Sequence, residues 1–175
     1  MDIDVAHRTV ASPVGDLLLA ATEAGLVRVA FAAEDHDAVL ATLAQRVGPR
    51  IAHCPARLDA VTGQLDDYFA GSRHDVDVPV DLRLAQGFRR TVVQQLRRIG
   101  YGERTSYAEV ASAVGSPGAV RAVGTACARN PLPVVIPCHR VVRSDGSPGQ
   151  YAGGAAAKVL LLEFEGRGMK PPAAS

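Results

Sequence analysis

The chain is poor in the features that staple a protein together or anchor it. Its three cysteines, Cys54, Cys127 and Cys138, are too few and too unevenly spaced for a disulfide framework. No apolar run approaches the roughly 18–20 residues that a membrane span requires. The opening Met1-Asp2-Ile3-Asp4 is acidic and has no apolar stretch, which predicts no secretory leader and a cytoplasmic location. Repeats and low-complexity segments are missing, apart from a Pro/Ala tail at 171–175 that is expected to fray. Tryptophan is absent and lysine nearly so, with 17 of the 19 basic residues being arginine. What is present is ordinary for a globular protein: 175 residues, 47% hydrophobic and 21% charged. That suffices for one compact domain or two small ones and excludes a disordered, collagenous or coiled-coil chain.

The formal charge of +1 conceals an asymmetry. Residues 1–83 carry 7 Lys/Arg against 13 Asp/Glu, a net of −6, and residues 84–175 carry 12 against 5, a net of +7. The basic half suits a polyanionic partner, though a solvated face has the same composition. Arginine grips phosphate bidentately and stacks on bases as lysine cannot. GC-rich codon usage produces the same bias without any function.

The first half reads as a β-meander of His7–Ala11, Asp16–Ala21 and Leu26–Phe31, separated by turns at Ser12-Pro13-Val14-Gly15 and Glu23-Ala24-Gly25. Val39, Leu40, Leu43 and Val47 predict a helix over 35–47 that Gly48-Pro49 stops. A second helix is expected from Arg57 to Ala70 with Leu58, Val61, Leu65, Tyr68 and Phe69 toward the core, followed by an alternating edge strand at Val76–Asp81. The domain boundary is placed at residues 80–85, giving domains 1–83 and 84–175. In the second half, Phe88, Val92, Leu96 and Ile99 have helical spacing. Ser106 and Glu109 form a capping-box pattern before Tyr107, Val110, Ala111 and Val114. A further helix from Ala119 to Ala128 follows Gly115-Ser116-Pro117-Gly118, making a helix-turn-helix candidate. Cys127 is expected to face the core with Val120 and Val123, and His7, His36 and His74 to lie at the surface.

The segment Asn130–Val141 is chemically the most distinctive. Three prolines, Pro131, Pro133 and Pro137, stiffen the approach to Cys138-His139. A rigid backbone holds a sulfur in line with an electrophile, and His139 with Arg140 nearby would favour the thiolate. Adjacent residues on a strand point to opposite faces, so Cys–His cooperation requires a turn or a bridging water. Glu163 or Glu165, on a helix expected over 155–165, could orient the imidazole. The competing reading is that Cys138 is merely a small buried hydrophobe. His53-Cys54 lacks two further ligands at metal-binding spacing.

Ile136-Pro137-Cys138-His139-Arg140-Val141 resembles the acceptor signature of the O6-alkylguanine-DNA alkyltransferases, the methylated-DNA–protein-cysteine methyltransferases. Tyr101-Gly102-Glu103 through Ser106-Tyr107, Arg121-Ala122-Val123-Gly124, Asn130-Pro131-x-Pro133 and Tyr151-x-Gly153-Gly154 with Lys158 resemble four more of the family's blocks, in order, across most of 84–175. The resemblance implies an α/β (α+β) fold: an N-terminal antiparallel sheet with helices, ribonuclease-H-like, then a mostly helical, winged-helix-like DNA-binding domain. It implies that Cys138 accepts the alkyl group once, that His139 acts through water as base, and that Glu165, just before Gly166, orients it. Tyr107 would donate a proton to the departing guanine, and Asn130 would tie the hinge to the active-site turn. Backbone carbonyls near Cys138 and Val141 would read the guanine amine. Tyr151, Ala152 and Gly153 would wall the pocket, with any bond to O6 at Ala152 coming from backbone. Arg121 would fill the stack left by a flipped base, on a helix whose small residues Ala122, Gly124 and Thr125 suit close approach to a minor groove.

No cofactor and no metal are implied. The partner would be double-stranded DNA containing O6-alkylguanine, bound by a monomer, alone or cooperatively, with O4-alkylthymine a second candidate substrate. The helix over 88–98 has Val92 or Val93 where relatives often carry an aromatic. Two other readings are a non-reactive alkyltransferase-like lesion-binding protein, which would lack the acceptor cysteine, and a multiple-turnover Cys-His hydrolase.

Overall fold

The computed structural model describes residues 2–169, and the Pro/Ala tail lies outside them. Two compact units meet at the Leu84–Ala85 bond. The first is built on β1 (Val5–Val10), β2 (Leu17–Thr22) and β3 (Gly25–Phe31), antiparallel neighbours as the turn residues predict. A fourth strand, β4 (Ile51–His53), adds to β1 in parallel, so the sheet is mixed, in the order β3-β2-β1-β4. Every residue of β2 is buried, as expected for a central strand covered on both faces.

Helix α1 (His36–Arg46) starts where the Asp35 carboxylate accepts from Ala38 N–H, and it seats Val39 and Leu43 against Val5, Leu18, Ala20, Val27 and Ala30. The helix expected from Arg57 begins later. Pro55–Leu58 forms a 3₁₀ turn, and α2 runs Asp59–Phe69 with Val61, Leu65 and Tyr68 buried and Phe69 half-buried. Val76–Asp81 is not a strand. Pro79 has no N–H to donate, and the segment makes only a bridge in which Pro79 O accepts from Leu26 N–H and Asp81 N–H donates to Leu26 O. His7 is half-buried beside His53, ring centres 5.7 Å apart, rather than alone at the surface. His36 is also half-buried, whereas His74 is exposed.

The second unit comprises α3 (Gly87–Leu96), β5 (Thr105–Ser106), α4 (Tyr107–Ala113), α5 (Val120–Ala128), β6 (Val141–Val142) and α6 (Ala155–Met169). Strands β5 and β6 pair in parallel. Ser106 caps α4 by accepting from Glu109 N–H, but the other half of the capping box is replaced: the Glu109 carboxylate accepts from Thr105 Oγ1. Gly115, at φ +79°, reverses the chain between α4 and α5. Val123, Ala126 and Cys127 are the buried face of α5. Val120 does not join them and is 39% exposed. Helix α6 buries Ala157, Lys158, Leu161, Leu162 and Glu165, one stripe at helical spacing that includes two charges.

Candidate active site

Rigidity around Cys138 comes from one side chain. The buried Asn130 amide donates from Nδ2 to Ile136 O at 2.9 Å, and its Oδ1 accepts from Leu132 N–H at 3.0 Å. Ile136 N–H closes the loop onto Leu132 O at 2.8 Å. Within this clasp Val134 sits at φ +72°, a left-handed conformation that costs a β-branched residue about 1–3 kcal/mol. The chain then enters a 3₁₀ turn at Cys138–Arg140, where Cys138 N–H donates to Ile136 O and Arg140 N–H to Pro137 O. That turn frees Cys138 and His139 from the opposed directions of a strand. Val141 N–H donates to Cys138 O, leaving that carbonyl one lone pair.

His139 is fully buried, and its Nε2 lies 2.8 Å from Glu165 Oε2. A carboxylate only accepts, so Nε2 carries the proton and Nδ1 is the basic nitrogen. Nδ1 is buried without a hydrogen-bond partner among the described residues. Burial pulls the His139 pKa below its ordinary value and outweighs the opposing bond to Glu165. The ring is therefore neutral at neutral pH. Glu165, 1% exposed, also accepts from Arg140 Nε at 2.8 Å and Nη2 at 3.0 Å, and from Gly102 N–H at 3.4 Å. Arg140 reaches on to Ile99 O, with its guanidinium 5.8 Å from the Tyr101 ring centre. Arg140 thus serves the carboxylate rather than the thiol. Glu163 is exposed.

Tyr107 opens α4 and is half-buried. Lys158, fully buried, donates from Nζ to Tyr107 Oη at 3.2 Å and to Gln150 O at 3.4 Å. Burial first, then the negative charge that Cys127 and Cys138 would carry, pushes the Tyr107 phenol up to about 12, so it stays protonated. Burial also lowers the Lys158 pKa. A Cβ at Gly149, itself at φ +76°, would lie 2.6 Å from Tyr107 Oη, so glycine there lets the loop pass the phenol. Tyr151, Ala152 and Gly153 form a half-buried turn before α6, closed by Gly154 N–H to Tyr151 O.

A groove of about 590 Å³ runs along α5. Arg121, Gly124 and Thr125 line it beside Tyr107, whereas Ala122 is exposed outside it and Val141 is buried in β6. Arg129 and Arg143 also line it. Sequence reasoning missed these two, and it missed the parts played by Arg140, Lys158 and Gly149. For Lys158 a signal existed: like Glu165 it is a charge at a core position of an apolar helical stripe. Among the described residues no three His, Cys, Asp or Glu side chains are placed to hold a metal ion. No helix there is long and apolar enough to cross a membrane.

Fold and site together define a two-unit protein whose buried Cys138-His139 turn adjoins a helix-turn-helix pair with a basic groove. The model of the 6-O-methylguanine DNA methyltransferase ribonuclease-like domain matches residues 5–82, and that family's DNA-binding domain matches 87–167. The chain is 38% identical over 165 residues to the methylated-DNA–protein-cysteine methyltransferase of Mycobacterium tuberculosis H37Rv, covering 91% of each. The crystal structure of the Mycobacterium tuberculosis O6-methylguanine methyltransferase superposes with a TM-score of 0.83 at 36% identity, covering 97% of this chain and 96% of that one. The structure of Mycobacterium tuberculosis OGT in complex with DNA gives 0.80 at 35%, covering 93% and 94%. The chain belongs to the methylated-DNA–protein-cysteine methyltransferase family.

Proposed function

We infer that the protein repairs alkylated DNA by moving the alkyl group from O6 of guanine to Cys138, once per molecule. The observation that carries this reading is the buried 2.8 Å contact of His139 Nε2 with Glu165, which turns Nδ1 into a base on the residue next to the thiol. The Cys138 thiol gives its proton through a water to Nδ1, and Glu165 stabilises the imidazolium. The thiolate lone pair attacks the alkyl carbon in line with the C–O6 bond. As the S–C bond forms, the C–O6 electron pair passes into the purine, which takes a proton from Tyr107 Oη and leaves as guanine. Lys158 holds the phenol in place and is the nearest proton source for the phenolate. A thioether has no facile return to a thiol, so each molecule acts once.

The guanine must leave the helix to reach a thiol this buried. Arg121, exposed on the α5 groove, fills the vacated stack, and the small residues Gly124 and Thr125 let the helix backbone approach the minor groove. Intact-mass analysis after incubation with duplex O6-methylguanine DNA tests the reading. One added methyl, mapped to Cys138, is expected at one equivalent per protein. Continued turnover, or an unmodified Cys138 beside repaired DNA, would sink it.

A further inference from the structure

The first unit pairs four of its seven arginines with carboxylates: Arg8 with Asp59, Arg28 with Glu34, Arg50 with Asp4 and Arg83 with Asp81, all at 2.8–3.0 Å. The α5 groove does the opposite. Arg121, Arg129 and Arg143 line it, no carboxylate does, and none of the three guanidinium groups makes a hydrogen bond or ion pair among the described residues. The acid next along the chain, Asp145, feels the charge of Arg143, but its carboxylate is held by Ser147 N–H at 2.9 Å and Oγ at 2.6 Å and forms no ion pair with it. Three unpaired guanidiniums in one groove repel one another, and an anion relieves that repulsion. Their spacing suits a nucleic-acid strand. Eight residues of helix at about 1.5 Å per residue put Arg121 and Arg129 about 12 Å apart along the α5 axis, between three and four base steps of roughly 3.4 Å.

We propose that Arg143 and Arg129 are phosphate ligands of the lesion-bearing strand, Arg143 taking the phosphate of the nucleotide that enters the pocket and Arg129 a phosphate about three steps along. The assignment rests on the reading of the site as an alkylguanine acceptor. If the base goes in past Tyr107, its sugar-phosphate stays at the mouth. Arg143 is exposed there, two residues beyond Val141, and close enough for its charge to lower the pKa values of both Tyr107 and Lys158. The bound phosphate therefore also offsets a positive charge beside the proton-donating phenol. Arg121 keeps its separate role inside the stack.

Binding of the full chain to unmodified duplex, measured by anisotropy across a salt series, reads the contacts. R143Q and R129Q should each flatten the slope of log K against log salt by about 0.9, the loss of one phosphate contact. R143K should keep the wild-type slope. The exposed Arg46 at the end of α1 provides the control, because R46Q removes the same charge far along the chain from the groove residues. A methylphosphonate replacing the phosphate of the O6-methylguanine nucleotide should weaken wild-type and R129Q binding but leave R143Q indifferent. Slopes unchanged in R143Q and R129Q, an equal loss in R46Q, or an R143Q that still responds to the methylphosphonate would overturn the proposal. Failure of the wild type to alkylate Cys138 would instead refute the transfer reading, and the slopes would still decide the phosphate contacts.

Discussion

Replacing Glu165 by Gln changes one oxygen to an NH₂ group and removes one buried charge. In the native site the carboxylate accepts from His139, twice from Arg140 and from Gly102. A glutamine has a single acceptor oxygen, so it cannot satisfy both Arg140 and the His139 Nε2–H. If its oxygen turns to Arg140, its NH₂ faces Nε2, and the imidazole moves its proton to Nδ1, where it can no longer take one from the thiol. Losing the base should slow transfer by about 100- to 10,000-fold. The Arg140 guanidinium, 5% exposed, is left without its counter-charge, which costs about 3–5 kcal/mol. At roughly 2–4 °C per kcal/mol for a chain of this size, the melting temperature falls by about 6–20 °C. Single-turnover methyl transfer from duplex DNA, with a thermal melt of the same sample, measures both. Glu163→Gln, at an exposed position, should change neither. A folded E165Q that transfers within threefold of the wild type would refute the relay.

Cys138→Ser should abolish transfer and retain DNA binding, since a serine hydroxyl is too weak an acid to replace a thiolate; intact mass checks it, and Cys127→Ala should still take up one equivalent. Arg121→Ala should slow reaction with duplex DNA at least tenfold more than reaction with free O6-benzylguanine, because only the duplex requires base extrusion; equal slowing on both would remove the finger role. Asn130→Ala deletes two buried hydrogen bonds and the brace around Val134, a loss of about 2–4 kcal/mol by thermal or denaturant unfolding. His139 has a folded pKa below its unfolded value of about 6.5, so the unfolded chain holds the extra proton between the two. Stability should be level above about pH 6.5 and fall as pH drops below it, and His139→Gln should flatten that acid limb in a denaturation series.

The helices were legible because their apolar spacing is local: Val39 with Leu43, Val61 with Leu65, Val92 with Leu96. The non-local pairings were not. Ile51–His53 is three residues long and becomes a strand only because β1 lies beside it, and nothing within ten residues of His7 announces His53. Val76–Asp81 has the alternation of a strand, but alternation says nothing about whether a partner edge is free. At the site, motifs single out Cys138, His139, Glu165 and Tyr107, and the structure sets His139 against Glu165 and Tyr107 against Lys158. The motifs do not give the direction in which Arg140 points, since a charge beside a histidine serves the thiol or the carboxylate according to folding distant in sequence. Val120 shows the limit of reading a helix face by residue type, as its helix turns that position toward the groove.

The relay is assembled from pieces made at different times. Cys138 and His139 share a turn, but the carboxylate that fixes the His139 tautomer arrives on α6, 26 residues further along the chain, together with Lys158. Until that helix docks, the thiol is an ordinary cysteine beside an undirected imidazole. On the transfer reading, arming of the Cys138 thiol is thereby coupled to completion of the fold, because a chain without its last helix has neither Glu165 to direct His139 nor Lys158 to hold Tyr107. On that reading the integrity of α6 decides whether the molecule can transfer an alkyl group at all.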